Sequence, residues 1–349
     1  VQLQQGVRVV RRGPGEVQIG TDRRWAVRVR GLTAEQCERL VDLGDRALDA
    51  WLPPAALDRL AATGVVRPRR ARAARVRPDL VPEARAYALT SGDGDGPALL
   101  RRRERATVAV AGLGRTGATL AAALAAAGVG TLVLDDQGTV RAGDLAAGLA
   151  PADVGRPRVR AVGDLLARTA PHVRVRRPGQ AAADVTVLVS ADVTDPGTAL
   201  DLLAAGAPHL PVVLREADAL VGPFVLPGAE GDGDGRPCLR CVDLHRTEAD
   251  PAWPAVLAQL TGRRRPVAGP PAALAAVAAG LAAAEVLAHV DGGALGEPEL
   301  RVACAARDEA GDEGVELHVG DGGRRGGRPG TGSTLVDRVE QRREPHDSS

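Results

Sequence analysis

The 349-residue chain contains no lysine, methionine or asparagine, and only one isoleucine, Ile19. Each of its 45 basic residues is therefore an arginine, which excludes Schiff-base and other lysine chemistry. The missing residue types are mostly those with AT-rich codons, so their absence reports a GC-rich coding sequence and says little about function. Aromatic residues are almost absent too: three tryptophans, one tyrosine and one phenylalanine. The core must then be built from alanine, valine and leucine, which bury less area per side chain. An apolar content of 44% still suffices for a globular protein. Net charge is nearly absent, at +1 from 45 basic and 44 acidic residues, so no global field draws the chain to nucleic acid or anionic lipid. With no signal-like apolar segment at the start, four cysteines point to a reducing cytoplasm and not to a disulfide scaffold. Two apolar stretches, 116–134 and 267–290, are rich in alanine and glycine, and the second is interrupted by Pro270, Pro271, Glu285 and His289. Neither reads as a membrane span.

The length corresponds to about two domains. Residues 1–78 alternate strand-like runs (Val7–Val10, Val17–Ile19, Trp25–Val29) with helical patterns that follow Thr33 and Pro53. Thr33 with Gln36 three residues on reads as a capping box, and Cys37, Leu40, Val41 and Leu48 recur at helical spacing. Leu52, Leu57 and Leu60 continue toward a C-cap at Gly64, which makes the block a small α+β, winged-helix-like unit with Trp25 and Trp51 as core anchors. Next come the arginine run "RPRRARAARVRP", then "SGDGDGP" and "RRRER", and residues 79–103 read as a linker. The arginine run fits a solvated face or a phosphate-binding arm.

From residue 104 the pattern becomes strand, glycine turn, helix, strand: "ATVAVAG", "LGRTG", "ATLAAALAAAG", "GTLVLDD". A helical stretch at 158–169 and strand-like runs at 172–176, 185–190 and 210–214 extend the alternation, as a doubly wound, Rossmann-like and mostly parallel sheet requires. A long alanine-rich helix over 270–290 closes this domain at 290. Residues 291–349 hold two further strands, "LRVACA" and "VELHV", and a disordered tail from about 320. Gly112, Gly114 and Gly117 form G-x-G-x-x-G between the first strand and its helix. Such a loop permits a tight turn, lets backbone approach a phosphate, and opens a helix whose amides donate to anions. Asp135 and Asp136 end the next strand, where a carboxylate accepts from ribose hydroxyls. Nucleotide binding follows; the alternative is a sheet whose glycine turn holds no ligand.

The run "LAAAGVGTLVLDDQGTVRAGDL", the "DVGRPR" that follows it, and "PCLRCVDLHRTEADPAWPAVLAQL" further on resemble the ThiF/MoeB/HesA family, bacterial relatives of ubiquitin-activating enzymes. The resemblance covers about residues 104–290, and the N-terminal unit fits a branch in which a precursor-peptide-recognition domain precedes the adenylation fold, as in cyclodehydratase-associated proteins. It implies ATP and Mg²⁺ as ligands, with Gly112, Gly114 and Gly117 along the phosphates and Asp136 at the ribose. It also puts Arg158 in place of an ATP-binding lysine and Asp192 near a metal-associated aspartate. Three further positions depart from the family: Asp144 replaces an asparagine, Ala147 an arginine that contacts phosphate, and Arg115 a glycine. Arg115 either restores the lost charge or plugs the pocket. The implied reaction is attack of a peptide's or small protein's C-terminal carboxylate on the α-phosphate, and the implied partners are that peptide, a partner enzyme and a second copy in a homodimer.

Cys238 and Cys241 have the spacing of half a tetrahedral zinc site. The family completes its site with a second pair, which this chain lacks; Cys304, His245 and His318 are the substitutes in sequence order. Bound zinc, a metal-free remnant and a redox pair all stay open. No cysteine lies between Asp192 and Cys238 to serve as a thioester nucleophile. Four functions are compatible with these residues. They are an adenylyltransferase that activates a peptide carboxylate or helps a partner do so, an inert peptide-binding scaffold of the same fold, a DNA-binding regulator, and an NAD-dependent oxidoreductase. The last leaves the cysteine segment unexplained, and DNA binding lacks global basicity and aromatic platforms.

Overall fold

The computed structural model describes residues 2–4, 7–21, 26–42, 57, 60, 66–67, 76–145, except 91–94, then 148–227, 238–262, 269–292, 300–303 and 317–319. Near the N-terminus, β1 (Gln2–Leu3) precedes an antiparallel meander of β2 (Val9–Gly13), β3 (Glu16–Ile19) and β4 (Val27–Arg30), and α1 (Ala34–Val41) follows. The capping box forms as its spacing predicts: the Gln36 amide donates to Thr33 Oγ1 at 3.1 Å and the Thr33 amide to Gln36 Oε1 at 2.8 Å. Such a cap is worth about 1 kcal/mol. Cys37 and Leu40 on α1 are buried against Val17 and Ile19. β5 (Val66–Arg67) pairs antiparallel with β1 and brings Val66 to the same small core. Trp25, Trp51 and most of the helix expected after Pro53 lie outside the described residues, as do most of the arginine run and the tail from 320.

The stretch read as a linker is helical. After a 3₁₀ turn at Pro78–Leu80, α2 (Val81–Thr90) and α3 (Gly96–Arg105) follow, with Asp95 capping α3 through the Ala98 amide at 3.0 Å. The glycine and arginine content hid an apolar stripe of Leu80, Ala84 and Leu100, which pack together. Arg103, fully buried, ties this pair to the rest. Its Nε and Nη2 donate to Asp291 Oδ1 at 2.9 Å and Oδ2 at 2.6 Å, and its Nη1 reaches Glu83 at 3.0 Å and the Ala127 carbonyl at 3.1 Å.

The main sheet has the order β13-β12-β11-β10-β9-β6-β7-β8. Five strands run parallel: β6 (Thr107–Ala111), β7 (Thr131–Asp135), β8 (Arg174–Arg176), β9 (Val185–Ala191) and β10 (His209–Leu214). Against their edge, β11 (Asp218–Val221), β12 (Leu300–Ala303) and β13 (Leu317–Val319) add antiparallel. α4 (Arg115–Ala126), α5 (Arg158–Thr169) and α6 (Pro196–Ala204) make the crossovers, as β-branched strands buried on both faces demand. Then come α7 (Leu239–Ala249), α8 (Trp253–Gly262) and the long α9 (Ala272–Asp291).

α9 has the length and apolarity to cross a membrane, yet here it is a core helix. Ala278, Ala279, Ala282 and Ala283 bury one face and let it lie along α4, whose own contact face includes Ala118, Leu120, Ala121 and Leu124. Alanine at these positions replaces side-chain bulk with close backbone approach. Each fully buried leucine adds about 2 kcal/mol of apolar transfer energy.

Candidate functional site

The sheet order fixes where a ligand can sit. From β6 the chain steps to β7 and β8 on one side and to β9 and β10 on the other, so a crevice opens at the carboxyl ends of β6 and β9. A cavity of about 290 Å³ lies there, walled by the glycine loop, by Val189, Ser190 and Ala191 at the end of β9, and by Leu214, the last residue of β10, and Arg215.

The loop is held in shape by backbone. Gly112 has φ +92°, a conformation side chains disfavour, and an added Cβ would stand 2.1 Å from the Val189 carbonyl oxygen. At Gly117 a Cβ would stand 1.8 Å from the Gly112 carbonyl oxygen, so α4 packs against its own loop only with glycine there. Gly114 is the N-cap of α4 and offers no side chain to the amides of the first turn. Those amides face the crevice with the positive end of the helix dipole behind them. Three further polar atoms around the cavity are buried without a partner: Arg115 Nε, Thr116 Oγ1 and Ser190 Oγ. Thr116 is only 1% exposed. Orphaned buried polar groups cost stability unless a ligand or water satisfies them.

Asp136 locks the loop to the end of β7. Its Oδ2 accepts from the Leu113 amide and its Oδ1 from the Gly138 amide, both at 2.6 Å. A carboxylate has about four acceptor positions, so room for ribose hydroxyls remains. Asp135 contributes its backbone instead: its carbonyl accepts from the Gly112 amide at 2.8 Å, and its carboxylate makes no hydrogen bond or ion pair among the described residues.

Arg158 opens α5, and its amide donates to the Gly138 carbonyl at 3.0 Å. Its side chain bridges two carboxylates: Nε and Nη2 donate to Asp144 Oδ2 at 3.0 and 2.7 Å, and Nη1 reaches Asp136 Oδ2 at 3.4 Å. Burial opposes its charge, but the hydrogen bond to Asp144 and the fields of Asp136 and Asp144 outweigh it and raise the guanidinium pKa. Asp144 and Arg158, two departures from the family pattern, are thus partners of each other. Arg115 donates from Nη1 to the Pro270 carbonyl at 3.0 Å, which ties the glycine loop to the entry of α9.

Asp192 follows β9 with φ +65°, its amide bonded to the Leu214 carbonyl at 2.8 Å. It adjoins the wall residues Ser190 and Ala191, but its own side chain is not part of the wall. Ala147 lies outside the described residues. Arg141, Thr116, Ser190 and Arg215 on the wall carry no motif signature, and only the fold brings them to the loop.

Cys238 is the N-cap of α7 and its Sγ lies 3.6 Å from that of Cys241. No cluster of three or more metal-ligating side chains occurs among the described residues, and Cys304 lies outside them. A second cavity, of about 80 Å³, runs beside Cys238 between α6 and α7, with mostly apolar walls and the buried His209 at one side. Burial lowers the His209 pKa, opposed by its ring Nδ1 hydrogen bond to the Ala207 carbonyl at 2.9 Å. His289 packs its ring 5.0 Å from Phe224, and burial lowers its pKa too. His172 is lowered first by burial and then by the nearby Arg77 cation. Trp253 donates to Asp243 Oδ1 at 3.1 Å and lies under Arg246, so it packs the segment after the cysteine pair.

Residues 87–201 match the model of the ThiF family. Comparison with curated proteins gives no match. Among solved structures, E. coli MccB with ATP superposes with a TM-score of 0.62 at 16% identity, over 92% of this chain and 96% of that one. E. coli MccB with AMPCPP and MccA gives 0.62 at 16% identity, over 91% and 96%. PaaA gives 0.55 at 18% identity, over 71% and 88%. At these identities the likeness establishes the fold.

Proposed function

Starting from a ThiF-family domain over residues 87–201, we propose that the chain binds Mg·ATP in the crevice above β6 and β9 and adenylates the C-terminal carboxylate of a peptide or small protein. The observation that carries this reading is what gathers around one cavity: Thr116 Oγ1, Ser190 Oγ and Arg115 Nε are buried there without a partner, beside the first-turn N–H groups of α4, which have no intrahelical acceptor and no side-chain cap. A row of donors with no acceptor fits a polyphosphate and not an apolar ligand. The binding of ATP by MccB, and of AMPCPP together with MccA, supports the same assignment.

In this reading the glycine loop takes the phosphates and Asp136 takes the ribose. Arg158 and Arg115 stand beside the reacting phosphate. An oxygen of the acceptor carboxylate bonds to the α-phosphorus, the bond from that phosphorus to the bridging oxygen breaks, and pyrophosphate leaves with the bonding pair. Negative charge builds on the phosphates as this happens, and pre-oriented donors stabilise it without reorganising. Mg²⁺ fits as an ion held mainly by the nucleotide, since Mg²⁺ needs only one or two carboxylates and keeps several waters. Asp144, on the wall, and Asp192, next to the wall residue Ala191, are the carboxylates that would hold it, and the chemistry it would supply is neutralisation of the leaving pyrophosphate. The N-terminal α+β unit is assigned to recognition of the acceptor. Cys238 and Cys241 would supply two ligands of a zinc site, which no third metal-ligating side chain completes among the described residues.

A second reading, an inert scaffold that binds a peptide, draws on the pairing of Arg158 with two carboxylates and on the alanine at 147. Exchange of labelled pyrophosphate into ATP separates the two. The proposal expects exchange with peptides that carry a free C-terminus and none with the same peptides amidated. Mg·ATP binding with no exchange for any free-carboxylate peptide would establish the scaffold instead.

A further inference from the structure

Four arginines wall the cavity: Arg115, Arg141, Arg158 and Arg215. They are not equivalent. Arg158 is held by Asp144 and Asp136, and Arg215 is paired bidentately with Asp218, through Nε at 2.6 Å and through Nη2. Their charge is already compensated. Arg115 gives one N–H to a neutral carbonyl, and its Nε is buried without a partner. Arg141 stands exposed at the rim, and its guanidinium makes no ion pair among the described residues.

We propose that Arg115 and Arg141 form a two-cation clamp for the polyphosphate, one from the floor of the cavity and one from its rim, while Arg158 and Arg215 serve as its neutralised frame. The two come from different walls. Arg115 opens α4 directly after the glycine loop. Arg141 precedes the 3₁₀ turn Ala142–Asp144, and its backbone is fixed there by the bond from its amide to Asp144 Oδ2 at 2.9 Å. A ligand that meets both must be an anion with several acceptors, able to accept also from the Thr116 and Ser190 hydroxyls. A di- or triphosphate has that density of charge and acceptors, and guanidinium groups bind phosphate bidentately.

The inference rests on the nucleotide reading for the identity of the ligand, and inorganic pyrophosphate separates the two. Calorimetry on the full chain would use Mg·ATP, sodium pyrophosphate and adenosine as probes. The variants are Arg115→Gln, Arg141→Ala and the charge-keeping Arg141→Lys, each checked for an unchanged melting temperature. The expected result is a loss of about tenfold or more in affinity for both ATP and pyrophosphate in each neutralised variant. Adenosine binding should be unchanged, the salt dependence of pyrophosphate binding shallower, and Arg141→Lys should recover most of the loss. Wild-type affinity for ATP and pyrophosphate in either neutralised variant overturns the clamp and leaves the nucleotide reading standing. Pyrophosphate binding that needs both arginines, in a chain that binds no ATP, supports the clamp and removes the nucleotide. Binding of neither probe by the wild-type chain overturns both.

Discussion

In a chain without lysine, arginine does two opposite kinds of work, and the difference is set by what surrounds it. Arg103, where α2, α3 and the end of α9 meet, is fully buried and its N–H groups are spent on Asp291, Glu83 and the Ala127 carbonyl. Arg102 adds a bond to the Asp291 carbonyl at 2.7 Å, placing two cations at the negative end of the α9 dipole. This is a closed cluster with nothing left to offer a ligand. At the crevice two of the four wall arginines have no carboxylate partner among the described residues, and the Thr116 and Ser190 hydroxyls around them lack partners. Charge satisfied internally specifies the fold, and charge left unsatisfied specifies a ligand.

The largest effect expected from disturbing that contrast is at the closed end. Arg103→Leu leaves Asp291 nearly buried and unpaired, and should lower the unfolding free energy by about 3–5 kcal/mol in chemical denaturation. Next is Gly117→Ala, whose Cβ collides with the Gly112 carbonyl. It should displace the loop and weaken Mg·ATP binding by about a hundredfold, close to 3 kcal/mol. Asp144→Asn tests the compensation of Arg158 from the other side. Removing that carboxylate's charge while keeping an acceptor for the guanidinium and for the Arg141 amide should tighten metal-free pyrophosphate binding about threefold. An unchanged or weaker affinity would mean that Arg158 is not neutralised by its partners.

The smallest expected effect is a pH dependence of stability. The folded pKa values of His209, His289 and His172 lie below their ordinary value of 6.5, so the unfolded chain binds protons first. Their contribution is fully present above about pH 6.5 and falls as the pH drops toward the folded values. Melting temperatures followed from pH 7.5 to 5 should decline, and His209→Gln should flatten that decline.

Much of the central fold was legible in the sequence because its signals are local. The β6 to α4 to β7 unit shows strand alternation, a glycine turn and helical spacing in one run, and the helix expected at 158–169 forms at those residues. Asp136 and Arg158 were legible through motif position and do meet the loop. The helices over 81–105 were hidden, since an arginine-rich helix beside "SGDGDGP" has the composition of a linker, and its packing depends on Arg103 finding Asp291 across 188 positions of chain. Arg141 was equally hidden. Nothing in "TVRAGDL" marks it, and its meaning comes from lining a wall whose other arginines have carboxylates beside them. The pairing of Asp144 with Arg158 turned two apparent defects into one compensated change, which single positions read separately do not reveal.

The crevice above β6 and β9 is proposed to hold the terminal triphosphate of ATP. Calorimetric titration of the full chain with ATP and with NAD⁺, each with and without Mg²⁺, tests it most directly. Saturable ATP binding that Mg²⁺ strengthens is expected, with no comparable binding of NAD⁺. Tight NAD⁺ binding, or no binding of either nucleotide, would contradict it.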